Sequence, residues 1–203
     1  MTPEDSIEQE LRGAPGGVAA EPPGLVEAAY AAGLLDVAYA ELDSPVGRLL
    51  LATTPAGLVR IAYIDGDGEE AVLQDVAARI SPRVLAAPRQ LDEPRRELDQ
   101  YFAGTRREFE LALDWRLMSG FTERVLKATA AIPYGSVSSY REVAAAAGSP
   151  RGSRAAGNAL GSNPLPIVVP CHRVLRSGGA IGGYTGGRDR KLALLAIERG
   201  GCE

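Results

Sequence analysis

From Asp36 onward, apolar and polar positions fall into short runs of strand length. Val37–Leu42, residues 47–53 and residues 57–64 are rich in aliphatic and β-branched side chains, and Asp43-Ser44-Pro45 and Pro55-Ala56-Gly57 separate them. Connections this short predict an antiparallel meander. The period then lengthens to that of a helix over residues 69–80, where Val72, Val76 and Ala77 share a face. A second helix is predicted over residues 92–102, with Pro94 in its first turn, Leu98 and Phe102 inward and Gly104 closing it. Residues 107–113 return to a strand pattern. Residues 36–114 therefore read as a small α/β domain that carries no cluster of reactive side chains.

Past Trp115 the pattern becomes one of short helices joined by Gly-rich loops, and residues 115–203 read as a second domain. The first helix spans residues 119–132, with Phe121, Val125, Ala128 and Ile132 striping one face, Ser119 placed to cap it, and Pro133 and Gly135 ending it. Ser138 or Ser139 caps a second helix that runs to Ala147, and Gly148 stops it. Ser149-Pro150 starts a third, with Pro at the first helical position, which ends at Leu160. Two short helices around a Gly-containing turn make a helix-turn-helix, whose second helix reads DNA in such folds. The last helix covers residues 188–199, with Leu192, Leu195 and Ala196 inward, and follows a loop that is largely glycine over residues 177–187. Residues 1–35 mix Glu, Gly, Pro and Ala and predict a flexible arm with at most one short helix near residues 25–32.

Composition narrows the function classes. The 203-residue chain has a net charge of −4, but the charge is divided. Residues 1–114 hold 10 Arg against 21 acidic residues, whereas residues 115–203 hold 12 Arg and Lys against 5 acidic residues. A basic second half on an acidic first half fits phosphate binding by one domain, and a solvated basic face is the alternative. No apolar run approaches the roughly 20 residues a membrane helix needs, and the acidic Met1–Asp5 segment is unlike a secretory leader, so a cytoplasmic protein without a membrane partner is expected. One histidine and two cysteines, Cys171 and Cys202, cannot supply a four-ligand zinc site or a disulfide framework, and neither metal nor cofactor is expected.

The single histidine lies directly beside one of those cysteines, in Pro170-Cys171-His172-Arg173. A thiol attacks as thiolate, so an imidazole or a cation that helps it below its usual pKa of about 8.5 is what activation requires. Pro164, Pro166 and Pro170 bracket Ile167-Val168-Val169, which predicts a short buried strand or extended segment that delivers Cys171 at its end. A cysteine after a Val-rich run is also an ordinary buried hydrophobe, and the tetrapeptide alone leaves both readings open.

The wider context is more specific. Ser139-Tyr140-Arg141, Arg154-Ala155-Ala156-Gly157-Asn158-Ala159-Leu160, Gly161-Ser162-Asn163-Pro164, Ile167–Val174, Tyr184-Thr185-Gly186-Gly187 and Glu198 follow one another in an order that resembles the O6-alkylguanine-DNA alkyltransferase family. The likeness is strong over about residues 119–200 and rests on architecture alone over residues 36–113. It implies an α+β fold: a ribonuclease H-like N-terminal domain with an antiparallel sheet, and a helical, winged helix-turn-helix-like C-terminal domain. It further implies direct DNA repair, in which the alkyl group of O6-alkylguanine, with O4-alkylthymine as a further substrate, passes irreversibly to Cys171, one transfer per molecule.

By the same resemblance, His172 acts through a water as the base for Cys171 and Glu198 orients it, while Asn163 holds the turn before the cysteine. Tyr140, Tyr184, Thr185 and the Val174 backbone would contact the flipped base; Thr185 stands where many members have Ser. Arg154 would fill the gap left in the duplex, Ala155 and Gly157 would let the second helix press into the minor groove, and Arg151, Arg124 and Lys127 are candidates for phosphate contact. Arg173 is expected to brace two domains or a helix terminus. The implied partner is double-stranded DNA, bound by a monomer, with cooperativity along DNA left open. The N-terminal zinc site of some members has no ligands here. A non-transferring alkylguanine sensor, a cysteine hydrolase and a helix-turn-helix regulator are the competing readings of the same residues.

Overall fold

The computed structural model describes residues 32–65 and 68–200. The expected meander is present as β1 (Val37–Leu42), β2 (Leu49–Thr54) and β3 (Gly57–Tyr63), paired antiparallel with Leu42 opposite Leu49 and Leu49 opposite Tyr63. A fourth strand, β4 (Val84–Ala86), runs parallel to β1, so the sheet is mixed, with the order β3-β2-β1-β4. All of β2 is buried because both faces of the sheet are covered. Leu50 and Ala52 point towards α1 (Gly68–Arg79) and pack with Val37, Val59 and Val76, while Leu49 and Leu51 face the larger core on the other side. Truncation of a fully buried leucine such as Leu50 to alanine removes about 2–5 kcal/mol of stability.

After a 3₁₀ turn at Pro88–Leu91, α2 (Asp92–Phe102) lays Leu98 and Tyr101 into that larger core. The strand expected at residues 107–113 does not form. Only a parallel bridge between Leu58 and Leu113 exists, because the segment's backbone is engaged elsewhere: Glu110 N–H donates to Glu97 Oε2 at 3.0 Å.

The helical half contains α3 (Gly120–Ala130), α4 (Tyr140–Ala146), α5 (Ser153–Gly161) and α6 (Arg188–Glu198), with Ser138–Ser139 (β5) paired parallel to Val174–Leu175 (β6). Ser139 caps α4 through a reciprocal box with Glu142, whose carboxylate accepts from Ser139 N–H at 2.7 Å. The third expected helix begins later than Pro150: residues 149–152 form a turn closed by Gly152 N–H on Ser149 C=O, and Gly152 precedes α5.

In α6 the inward stripe differs from the expected one. Lys191, Leu194, Leu195 and Glu198 are buried, whereas Leu192 is 43% exposed and Ala196 also faces solvent. Two charged side chains with interior partners take inward positions that a hydrophobic count assigns to neighbours. The two halves share one continuous core and are stitched directly: Ile61 N–H donates to Pro164 C=O at 2.8 Å, and Arg190 grips Asp65, Val46 C=O and the face of Tyr63. The helix predicted near residues 25–32 falls almost entirely outside the described residues.

Candidate active site

Cys171 does not end a strand. Ile167–Val169 form a tight buried turn in which Val169 N–H reaches Leu165 C=O at 2.8 Å, and Cys171–Arg173 is a single 3₁₀ turn. Three prolines without N–H groups leave this apolar stretch unable to join a ladder, and Ile167 is held at φ 77°, a strained conformation for a β-branched residue. Asn163 replaces the missing ladder. Its Oδ1 accepts from Leu165 N–H at 3.0 Å, and its Nδ2 donates to Val169 C=O at 2.9 Å and to Cys171 Sγ at 3.2 Å.

Behind the thiol lies a dense polar cluster. Glu198 Oε1 is 2.8 Å from His172 Nε2, and Arg173 binds the same carboxylate through Nε at 3.0 Å and Nη2 at 2.8 Å. Gly135 N–H donates to Oε2 at 3.1 Å, and Arg173 Nη1 caps α3's end by donating to Ile132 C=O. The expected brace of a helix terminus by Arg173 is therefore present. Tyr101, from α2, also donates to Glu198 Oε1, at 2.8 Å. The sheet-bearing half, whose sequence carries no reactive cluster of its own, thus contributes one hydroxyl to the site.

Charge follows from these contacts. Burial would raise the Glu198 carboxyl, but the hydrogen bonds from His172 and Arg173 outweigh it and hold the pKa at about 2. Burial pushes His172 below its ordinary value even with Glu198 beside it, so the ring is neutral. A neutral ring facing a carboxylate through Nε2 carries its proton there, which leaves Nδ1 as the acceptor nitrogen. Nδ1 has no hydrogen-bond partner among the described residues.

Burial lifts Cys171 to about 11, against opposing effects from Asn163 and Lys191. A thiol raised this far is protonated at neutral pH, so it becomes a nucleophile only by giving its proton to a base. Lys191 is itself fully buried and donates to Val174 C=O at 2.6 Å and Gly183 C=O at 3.3 Å, with its pKa lowered by burial. Val174 is itself fully buried, and the Lys191 contact fixes its carbonyl.

In front of Cys171 opens a cleft of about 820 Å³ lined by Tyr140, Arg154, Gly157, Tyr184, Thr185 and Arg176, among others. Tyr140 starts α4 and stands across from the glycine loop, where a side chain at Gly182 would collide with its hydroxyl. Tyr184 donates to or accepts from Tyr63 Oη at 2.8 Å and sets its ring edge-on to His172. Thr185 is exposed, with its hydroxyl 3.3 Å from Gly161 C=O. Arg154 and Ala155 are exposed on α5, and Arg151 is exposed in the turn before it.

Arg124 and Lys127 do not line the cleft. Arg124 donates to Ala147 C=O over the Phe121 ring, and Lys127 pairs with Glu123 over Trp115. Tyr101, Tyr63, Lys191 and Arg176 are the site residues that sequence reasoning missed. None sits in a local motif, although an Arg between the cysteine turn and a glycine loop was a visible cue.

Comparisons with known proteins identify the family. Residues 37–115 match the model of the 6-O-methylguanine DNA methyltransferase ribonuclease-like domain, and residues 120–200 match that of the DNA binding domain of the same name. A methylated-DNA–protein-cysteine methyltransferase of Mycolicibacterium paratuberculosis is 41% identical over 163 residues, covering 80% of this chain and 93% of the relative. The crystal structure of the Mycobacterium tuberculosis O6-methylguanine methyltransferase superposes with a TM-score of 0.69 at 37% identity, covering 81% of this chain and 93% of that one. Its complex with DNA gives a TM-score of 0.68 at 37% identity, covering 80% and 93%. The resemblance carried by the cysteine turn thus extends through both halves of the molecule, and the chain belongs to the 6-O-methylguanine DNA methyltransferase family.

Proposed function

We propose that this protein repairs double-stranded DNA directly, moving the alkyl group of O6-alkylguanine onto Cys171 once and irreversibly after the nucleotide is flipped out of the duplex. The observation that carries this reading is Cys171 itself, placed between a base-bearing polar cluster and an open cleft rimmed by arginines. Cys171 Sγ forms a bond to the alkyl carbon as the O6–C bond breaks, and that bond's electron pair stays on the purine. The thiol proton passes through water to His172 Nδ1, and one proton returns to the purine, so that guanine leaves neutral. Glu198 holds His172 in the tautomer that makes this possible, and Asn163 steadies the sulfur as charge develops on it. O4-alkylthymine offers the same carbon–oxygen bond and is the second substrate class of this reading.

Arg154 takes the place of the extruded base, α5 presses into the minor groove on its small residues Ala155 and Gly157, and Tyr140 flanks the rotated nucleotide. Tyr184, Thr185 and the carbonyl of Val174 hold the base, and Arg151 contacts phosphate. Residues 115–203 are assigned as the DNA-binding acceptor domain and residues 36–114 as its buttress, in a monomer acting in the cytoplasm.

Incubation with a duplex carrying O6-methylguanine, followed by intact-mass measurement, tests the proposal. A gain of one methylene that vanishes in Cys171→Ala supports it. An unchanged mass with tight binding to the lesion points to a sensor and contradicts transfer.

A further inference from the structure

We infer that Tyr101 is a positioning residue for the transfer, its hydroxyl setting how much of the Glu198 charge His172 receives and thereby keeping His172 Nδ1 free to take a proton. The inference rests on the reading of Cys171 as acceptor, and it brings α2 of the sheet-bearing half into the reaction.

The geometry is specific. Tyr101 Oη donates to Glu198 Oε1 at 2.8 Å, the oxygen that His172 Nε2 and Arg173 Nη2 also reach at 2.8 Å each, and it lies 3.5 Å from His172 Nε2. The Tyr101 ring is fully buried and held edge-on by Phe102 and Tyr134, with Phe109 tilted beside it, so its hydroxyl has one direction to point. Burial and the neighbouring carboxylate keep that hydroxyl protonated at any working pH, which makes it a permanent donor.

Donors that share one carboxylate oxygen divide its charge among them. If one is removed, the others draw on that oxygen more strongly. Arg173 is already cationic, so the group that can respond is His172, by gaining a proton at Nδ1. The groups facing His172 are Glu198 and Lys191 from α6, Arg173 and Cys171 beside it in the chain, Tyr101 from α2 and the Tyr184 ring from the glycine loop. Lys191 and Arg173 oppose protonation and keep their charge when the Tyr101 hydroxyl is removed, whereas Glu198 favours it and then has more of its charge left for His172. Loss of that hydroxyl therefore shifts the balance towards imidazolium, a form that has no acceptor for the thiol proton.

Tyr101→Phe keeps the ring contacts and deletes the donor. The chain has a single histidine, so ¹⁵N-histidine labelling reports the tautomer and protonation of His172 without assignment. The midpoint of the His172 titration in Y101F should move up by about half to one pH unit, the worth of one hydrogen bond, and the acid limb of the rate with free O6-alkylguanine base should move with it. A midpoint and limb that both coincide with wild type would overturn the inference.

Should Y101F fold poorly, as read by thermal melting, 3-fluorotyrosine at position 101 is a stronger donor of nearly the same shape and should shift both readouts downward. An upward shift or none contradicts the proposal. The nuclear resonance readout does not depend on transfer: if wild type gains no methyl group yet its His172 responds to the substitution as stated, the acceptor reading fails while the role of Tyr101 in setting His172 stands.

Discussion

Behind Cys171, one carboxylate gathers donors from Tyr101, Gly135, His172 and Arg173 in a dry interior, whereas in front of it Arg141, Arg154 and Arg176 stand exposed around an open cleft. The two sides of one sulfur follow different physics. In the interior, low polarisability makes each charge interaction strong and fixes the geometry before substrate arrives. At the rim, water and salt screen the cations, which suits reversible capture of a phosphate backbone. Under the proposed function, the rear wall prepares the chemistry and the front wall finds and opens the substrate. Mutations on the two sides should therefore fail differently.

The largest effect is expected behind the cysteine. Glu198→Ala leaves the Arg173 guanidinium buried without its carboxylate, a loss of about 3–5 kcal/mol that thermal or denaturant unfolding will register together with loss of transfer on every substrate. Acid probes the same wall more gently. Glu198 is held at about 2, below its ordinary 4.5, and His172 is held below its ordinary 6.5. Both groups therefore bind protons more readily when unfolded, and the stability they contribute is complete above about pH 6.5 and is lost as pH falls towards about 2. Denaturant midpoints between neutral pH and pH 3 should decline steadily, and Glu198→Gln should flatten the lower part of that decline.

A change at the rim should separate substrates rather than destroy the fold. Arg154→Ala is expected to slow repair of duplex DNA by about 10- to 100-fold, the scale of one unstacking step, and to leave the rate with free alkylguanine base unchanged. Comparable losses on both substrates would erase the distinction between the two walls. The smallest effect is expected at Thr185, whose hydroxyl is exposed. Thr185→Ser keeps the donor and should alter the rate for O6-methylguanine less than about threefold, since removal of one exposed methyl rarely exceeds about 0.5 kcal/mol. Single-turnover kinetics with both variants will check these magnitudes.

What the sequence disclosed follows the same division. The rim was legible because its residues sit in local motifs: Tyr140 beside the Ser139 cap, Arg154 at the head of a small-residue helix, Thr185 in the glycine loop. The Cys171-His172 pair was legible by adjacency. Tyr101 was not, since it lies 71 positions from His172 and presents itself only as one more aromatic on an amphipathic helix. Lys191 escaped for a related reason: periodicity assigns polar residues to solvent, so α6 was turned to bury Leu192 and Ala196, although Glu198 was reached through the motif order. Ile167–Val169 reads as a strand or extended segment because its apolar content is that of a strand, whereas it folds as a turn whose hydrogen bonds come from Asn163 and from within the turn. The segment at residues 107–113 has the alternation of a strand, but a side chain of α2 occupies part of its backbone.

The central claim is that the prepared wall serves a cysteine that is used once. Counting repaired guanines against protein molecules, as methylated duplex is raised from deficit to large excess, tests it most directly. The account predicts a plateau at one repaired guanine per protein molecule, with Cys171 fully converted to its methyl thioether. Repair that continues to rise beyond one per molecule, with Cys171 left unmodified, would contradict it.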